Sequence, residues 1–153
     1  MKIFDCFTFF NELELLELRL LELNNTVDYF IIVEANKTHT GKEKPFYLTN
    51  GKQLYGSLWN KVIYIQITNL PDYSKNNIWI PENFQRNGIS IGLKNNASKG
   101  DCVLISDLDE IPKPDIILAN IEESKLVVFQ QDLYYYYVNC IQNQLWSGTI
   151  MAK

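Results

Sequence analysis

Two near-continuous apolar runs bracket a leucine-rich segment at the start of the chain, and this arrangement restricts the fold more than any other feature. "KIFDCFTFF" (2–10) is rich in aromatic and β-branched residues and predicts a strand. "NELELLELRLLELNN" (11–25) follows, with Leu13, Leu16, Leu20 and Leu23 at helical spacing. Asn11 with Glu14 three residues on fits a capping box, which sets the expected helix start. Leu15, Leu18 and Leu21 widen the apolar face, so the helix is expected to be wedged between a sheet and another element. A coiled coil is disfavoured, because fewer than three heptads are present and leucine occupies too many faces. "VDYFIIVEAN" (27–36) is the second run and ends in Glu34. A strand without alternation is buried on both faces, as in a parallel sheet, so the opening reads as a βαβ unit.

The pattern continues. "KTHTGKEKP" (37–45) is polar, with a glycine and a proline, and predicts a loop. "FYLTNGKQLYGSLW" predicts a short helix from about Lys52, "KVIYIQI" a third strand, and "NLPDYSKNNIWIP" a loop. "ENFQRNGISIGLKNNA" predicts one helix weakened by Gly88 and Gly92, "DCVLISDLDE" a fourth strand, and "PDIILANIEES" a short helix with Pro114 in its first turn. "KLVVFQQDLYYYYVNCI" and "QLWSGTIMA" predict strands, antiparallel about a turn at Gln142 to Gln144. This order specifies a single α/β domain with a mostly parallel sheet flanked by helices and right-handed crossovers. Ligands of such folds bind at the carboxyl ends of the strands. Acidic residues fall at two of those ends: Glu34 after the second strand, and Asp107, Asp109 and Glu110 after the fourth.

Composition narrows the partners. A chain of 153 residues, 46% hydrophobic, is long enough for one ordinary core. Eighteen acidic against fourteen basic side chains give a net charge of −4, and the basic residues are scattered, which argues against non-specific nucleic-acid or anionic-membrane binding. No window approaches the ~18–20 apolar residues of a membrane span and no signal-like segment opens the chain, so a soluble, cytoplasmic protein is expected. Cys6, Cys102 and Cys140 sit in apolar strand-like runs without metal-type spacing and read as buried reduced thiols. Asn-x-Ser/Thr triplets at Asn24, Asn36 and Asn96 read as chance in an asparagine-rich chain.

The carboxylates after the fourth strand carry the chemistry. In extended backbone Asp107 and Asp109 would project to one face, and two like charges side by side call for a proton or a cation between them. Oxygen-only ligands suit Mg²⁺ or Mn²⁺, and such a cation would hold a nucleotide's phosphates. The plainer alternative is that both aspartates cap the turn before "IPKP". A phosphatase with an aspartate nucleophile fits less well, because Glu110-Ile111 stands where a hydroxyl residue is wanted. Glu34 occupies the place where dinucleotide-binding folds bond ribose hydroxyls, yet "FFNELELL" contains no glycine, which disfavours a nicotinamide or flavin domain. Glu110 and Asp132 are candidates for a general base from charge and strand-end placement.

Together, "KIFDCFTFFNELELLELRL", "VDYFIIVEANKTHTGKEKP", "FQRNGI" and "ISDLDEIPKP" resemble family 17 of the glycosyltransferases, in the same order and over nearly the whole chain. The resemblance implies a GT-A type fold and inverting, metal-assisted transfer of N-acetylglucosamine from UDP-N-acetylglucosamine to a sugar hydroxyl of a glycan acceptor. It places Asp107 and Asp109 at the metal and diphosphate, Glu34, Asn36, His39 and Lys42 at the nucleotide end of the sheet, and Arg86 on a helix facing the diphosphate. His39 and Lys42 also read as exposed loop residues, and Arg86 as a surface ion pair. Trp146 reads either as a sugar platform or as core, and at most two of the rings in "YYYY" (134–137) can share one strand face. The resemblance further implies a region beyond "LWSG" that completes the acceptor side. The chain, ending at Lys153, is therefore expected to hold a donor half with little of the acceptor half. A non-catalytic nucleotide-sugar-binding remnant or protein-interaction module is the alternative.

Overall fold

The computed structural model describes residues 1–73, 77–135 and 139–153. Strands β1 (Ile3–Phe9), β2 (Tyr29–Ala35), β3 (Val62–Ile67), β4 (Cys102–Ser106), β5 (Val127–Tyr134) and β6 (Ile141–Ala152) form one sheet in the order β3-β2-β1-β4-β6-β5. The first four are parallel; β6 runs antiparallel to both β4 and β5. This is the α/β architecture expected, with a mostly parallel sheet flanked by helices, and it is compatible with a Rossmann-like GT-A fold.

The apolar runs of β1 and β2 have a direct cause: both faces of these strands are covered. Phe7, Phe9, Phe30 and Ile32 join Leu16, Leu20 and Leu23 of α1 (Leu13–Leu23) and Ile117 of α5 (Pro114–Asn120). Phe4, Cys6, Ile31 and Val33 meet Ile89 and Leu93 of α4 (Ile89–Asn96) on the other side. Each such side chain contributes roughly 1.5–3 kcal/mol when removed from water, which fixes the register of the two central strands.

Several local expectations are corrected. The Asn11/Glu14 capping box does not form; the Glu12 carboxylate instead accepts the backbone N–H groups of Phe10 and Asn11. Leu18 and Leu21 are exposed, so α1 lies on the sheet with one side open rather than wedged. The segment after Phe46 forms two 3₁₀ turns around α2 (Gly51–Tyr55). The expected helix over 82–97 is two helices, α3 (Ile80–Asn87) and α4, parted at Gly88. Gln142 to Gln144 lie inside β6 rather than in a turn, with Asp132 opposite Leu145 and Tyr134 opposite Ile141. Ahead of β6, the Tyr135 N–H donates to the Cys140 carbonyl. Cys6 and Cys102 are buried free thiols as expected, but Cys140 is exposed. Burial, ahead of the charge of Asp5, pushes the Cys6 thiol well above its ordinary range.

Candidate functional site

The site is built on the turn that follows β4. The Glu110 N–H donates to the Asp107 carbonyl at 3.1 Å, and the Asp107 N–H donates to Glu110 Oε2 at 2.9 Å. Asp107-Leu108-Asp109 is therefore a tight turn, where an extended segment was expected. The two aspartates still reach solvent together because Leu108 between them is buried in the core.

Beneath this turn lies a group that the sequence reading missed. Arg19, from the middle of α1, is fully buried and faces Asp5 of β1 in a two-pronged ion pair, Nε to Oδ2 at 2.8 Å and Nη2 to Oδ1 at 2.7 Å. Its Nη1 donates to the carbonyls of Asp107 (2.7 Å) and Leu108 (2.9 Å), and Nη2 also donates to Ser106 Oγ (2.6 Å). The guanidinium sits 4.4 Å from the centre of the Phe7 ring. A buried cation is tolerated only when its donors are used, and the backbone of the acidic turn uses them here. β6 holds the turn from the other side: Thr149 Oγ1 donates to the Glu110 carbonyl, and Trp146 Nε1 donates to Glu110 Oε1.

Two clefts at the turn have both aspartates in their walls. The larger, about 480 Å³, opens at the carboxyl ends of β1, β2 and β4 and is lined by Thr8, Phe9, His39, Gln85, Arg86, Asp107 and Asp109, among others. The smaller, about 310 Å³, lies beside β5 and β6 and brings Asp107, Asp109, Glu110, Asp132, Tyr134 and Trp146 together.

On the larger side, Arg86 Nη2 donates to Asp107 Oδ1 at 2.7 Å and to Glu82 Oε1 at 3.2 Å. Burial works against the charged guanidinium, but the hydrogen bond and charge of Asp107, followed by those of Glu82, more than offset it and hold its pKa above the ordinary value. Gln85 fixes His39. The Gln85 amide nitrogen donates to the carbonyls of Phe9 (3.2 Å) and Val33 (2.9 Å), which turns Oε1 toward His39 Nε2 at 2.9 Å. That oxygen can only accept, so Nε2 carries the proton of this contact, and in the neutral ring form Nδ1 is the acceptor.

Other expected site residues fall elsewhere. Glu34 is fully buried and does not line either cleft. Its carboxylate accepts from Lys44 Nζ (2.7 Å), the N–H groups of Tyr47 and Leu48, and Tyr64 Oη (2.6 Å). These contacts hold the loop after β2 in place of a ribose. Asn36 pairs through its backbone, while its Oδ1 is shielded from solvent without a hydrogen-bond partner among the described residues. Lys42 is exposed at the tip of that loop, where its N–H donates to Thr38 Oγ1. Of "YYYY", Tyr136 and Tyr137 lie outside the described residues, and Tyr134 lines the smaller cleft.

The donor set suits a hard cation bound jointly with a ligand. Among the described residues no three His, Cys, Asp or Glu side chains gather into an all-protein cage. Mg²⁺-type ions are commonly held by one or two carboxylates plus substrate phosphates, which is what the two aspartates at a cleft edge offer. The family model of glycosyltransferase family 17 matches residues 1–152.

The chain belongs to glycosyltransferase family 17. Over 115 residues it is 31% identical to the β-1,4-mannosyl-glycoprotein 4-β-N-acetylglucosaminyltransferases of Homo sapiens and Rattus norvegicus and 30% identical to that of Mus musculus. In each case the match covers 71% of this chain and 21% of the relative, so this family 17 chain spans about a fifth of the length of the curated relatives it matches. No helix among its described residues is long and apolar enough to cross a membrane.

Proposed function

We propose that the chain is the donor-binding core of an inverting N-acetylglucosaminyltransferase. It takes UDP-N-acetylglucosamine with Mn²⁺ or Mg²⁺ in the larger cleft and presents the sugar to a glycan hydroxyl in the smaller one. The observation that carries this reading is the pair Asp107 and Asp109, shared by two clefts at the carboxyl end of β4 in a family 17 chain. The names of the curated relatives support the transferred sugar and the glycan acceptor. Asp107 and Asp109 would hold the cation, which neutralises charge on the departing diphosphate. Arg86 adds a fixed positive group on the same wall, and His39 offers an oriented acceptor to the nucleotide.

Inversion requires a base that removes the acceptor hydroxyl proton as the sugar is attacked from the face opposite the diphosphate. Between the two candidates the geometry favours Asp132. Both oxygens of Glu110 already accept hydrogen bonds, from Trp146 Nε1 and the Asp107 N–H, whereas Asp132 is exposed in the smaller cleft beside Asp109. Trp146 and Tyr134, both about half exposed there, supply flat apolar surface for a sugar ring.

Calorimetric titration of UDP-N-acetylglucosamine with and without Mn²⁺, beside Asp109→Asn, tests the reading. Binding should require the cation and weaken at least about tenfold in the variant, the cost of one charged ligand contact. Tight binding without metal, or an unaffected variant, would refute it. A second reading, a non-catalytic sugar-nucleotide-binding or partner-binding module, is favoured by the exposed apolar side chains of β5 and β6, including Val128, Ile141, Leu145 and Ile150. Donor hydrolysis or transfer by the pure protein excludes it.

A further inference from the structure

The Arg86–Asp107 pair has a chemical conflict built into it. Asp107 is one of the two carboxylates assigned to the cation, yet its Oδ1 is already bonded to a guanidinium at 2.7 Å. The contact lies at the cleft wall, with the Asp107 side chain 52% and the Arg86 side chain 31% exposed, so an incoming ion can reach it. A divalent ion at Asp107 places a second cation against Arg86, and the two repel.

Arg86 is nevertheless built to give up this partner without leaving the site. Both of its hydrogen bonds come from Nη2, and Nε and Nη1 make none among the described residues. Glu82, one turn earlier on α3, still anchors Nη2 once Asp107 is gone. A planar fork with open donors then remains on the cleft wall, the geometry that binds phosphate oxygens in pairs. Glu12, Glu82, Asp107 and Asp109 line the same cleft against Lys37 and Arg86, so acidic groups outnumber basic ones and a phosphate group alone would be repelled.

We propose that Arg86 is an exchangeable counter-ion. It neutralises Asp107 in the empty site, yields that carboxylate to the divalent cation, and passes its own charge to the diphosphate that arrives with the cation. This rests on the donor-site reading above and extends it to the order and coupling of binding. The cation alone must displace Arg86, and the diphosphate alone meets paired carboxylates. Together each relieves the charge that the other leaves, so the two bind cooperatively and by the same factor in either order.

The test uses Arg86→Gln and Arg86→Lys, with Mn²⁺ alone followed by electron paramagnetic resonance of the free ion, and UDP titrated at saturating Mn²⁺. In Arg86→Gln, Mn²⁺ alone should bind about threefold tighter or more, since a competing exposed ion pair is gone. UDP should bind about tenfold more weakly, since a charge-assisted contact is lost, and the coupling between the two ligands should shrink. Arg86→Lys, which keeps the charge and loses the fork, should leave Mn²⁺ near wild type and weaken UDP. Unchanged UDP affinity in Arg86→Gln, or Mn²⁺ affinity equal to or below wild type, overturns the exchange. If wild type binds UDP with Mn²⁺ and Arg86→Gln does the same, only the exchange fails; if wild type takes up no UDP, both readings fail.

Discussion

Arg19 and Glu34 show how one residue's partners decide its role. Both carry a full charge in the interior, and both use it to hold backbone: Arg19 the acidic turn, Glu34 the loop after β2. Breaking a buried pair from one side leaves an uncompensated charge at a cost of about 3–5 kcal/mol. Arg19→Met should therefore lower the unfolding free energy by about that much in urea titration, and Asp5→Leu added to it should restore part of the loss. A single variant as stable as wild type would contradict the burial of the pair. Arg19 had left a trace in the sequence, as an arginine on the stripe of Leu16, Leu20 and Leu23, with an aspartate among the apolar residues of β1. Polar residues at positions that the period assigns to the core signal a buried pair. Glu34 left no comparable trace, because a carboxylate at a strand end looks the same whether a ribose or Tyr64 is its partner.

The paired helices α3 and α4 were expected as one weakened helix, with the glycines as its faults. Their surroundings give another reason for glycine. A Cβ on Gly88 would come 2.8 Å from Val33 Cγ1 and 2.9 Å from the Gln85 carbonyl, and one on Gly92 would come 2.7 Å from Ile31 Cγ2. Close approach of these helices to β2 thus requires the missing side chains, and it carries Gln85 and Arg86 to the strand ends. Helix propensity alone predicts that Gly92→Ala stabilises by about 1 kcal/mol, whereas overpacking predicts a loss of about 1–3 kcal/mol. A lower thermal midpoint for Gly92→Ala is expected, and a higher one would show that the helix stands off the sheet. The acidic turn teaches a related lesson. Alternation of exposure at Asp107, Leu108 and Asp109 was legible, but a turn anchored by Leu108 and Arg19 produces it rather than an extended strand.

The whole molecule should be sensitive to alkali. Burial, with smaller contributions from Glu17 and Glu14, raises the Tyr55 phenol to about 12, and burial followed by the hydrogen bond to Glu34 raises Tyr64 further. The folded chain keeps these protons at a pH where unfolded tyrosine, near pKa 10, has lost them. The stabilisation is complete below pH 10 and falls as pH rises toward 12 and beyond, because the unfolded state then binds fewer protons. Urea midpoints at pH 8, 10 and 11 should decline over the upper interval, and less steeply in Tyr55→Phe; a flat profile to pH 11 would rule out the buried phenols. The order of elements, the two-faced burial of β1 and β2 and the acidic cluster at the end of β4 were determined by the sequence itself, since periods of 3.6 and 2 are local properties of the chain. Only the tertiary structure decided which oxygens stay open to a ligand. Arg86 lies 21 residues from Asp107, Trp146 lies 36 from Glu110, and Arg19 lies 88 from the Asp107 carbonyl that it holds. Such partners meet only when the sheet and its helices have packed, so Asp107, Glu110 and Glu34 look alike as letters and differ in what they have left to bind.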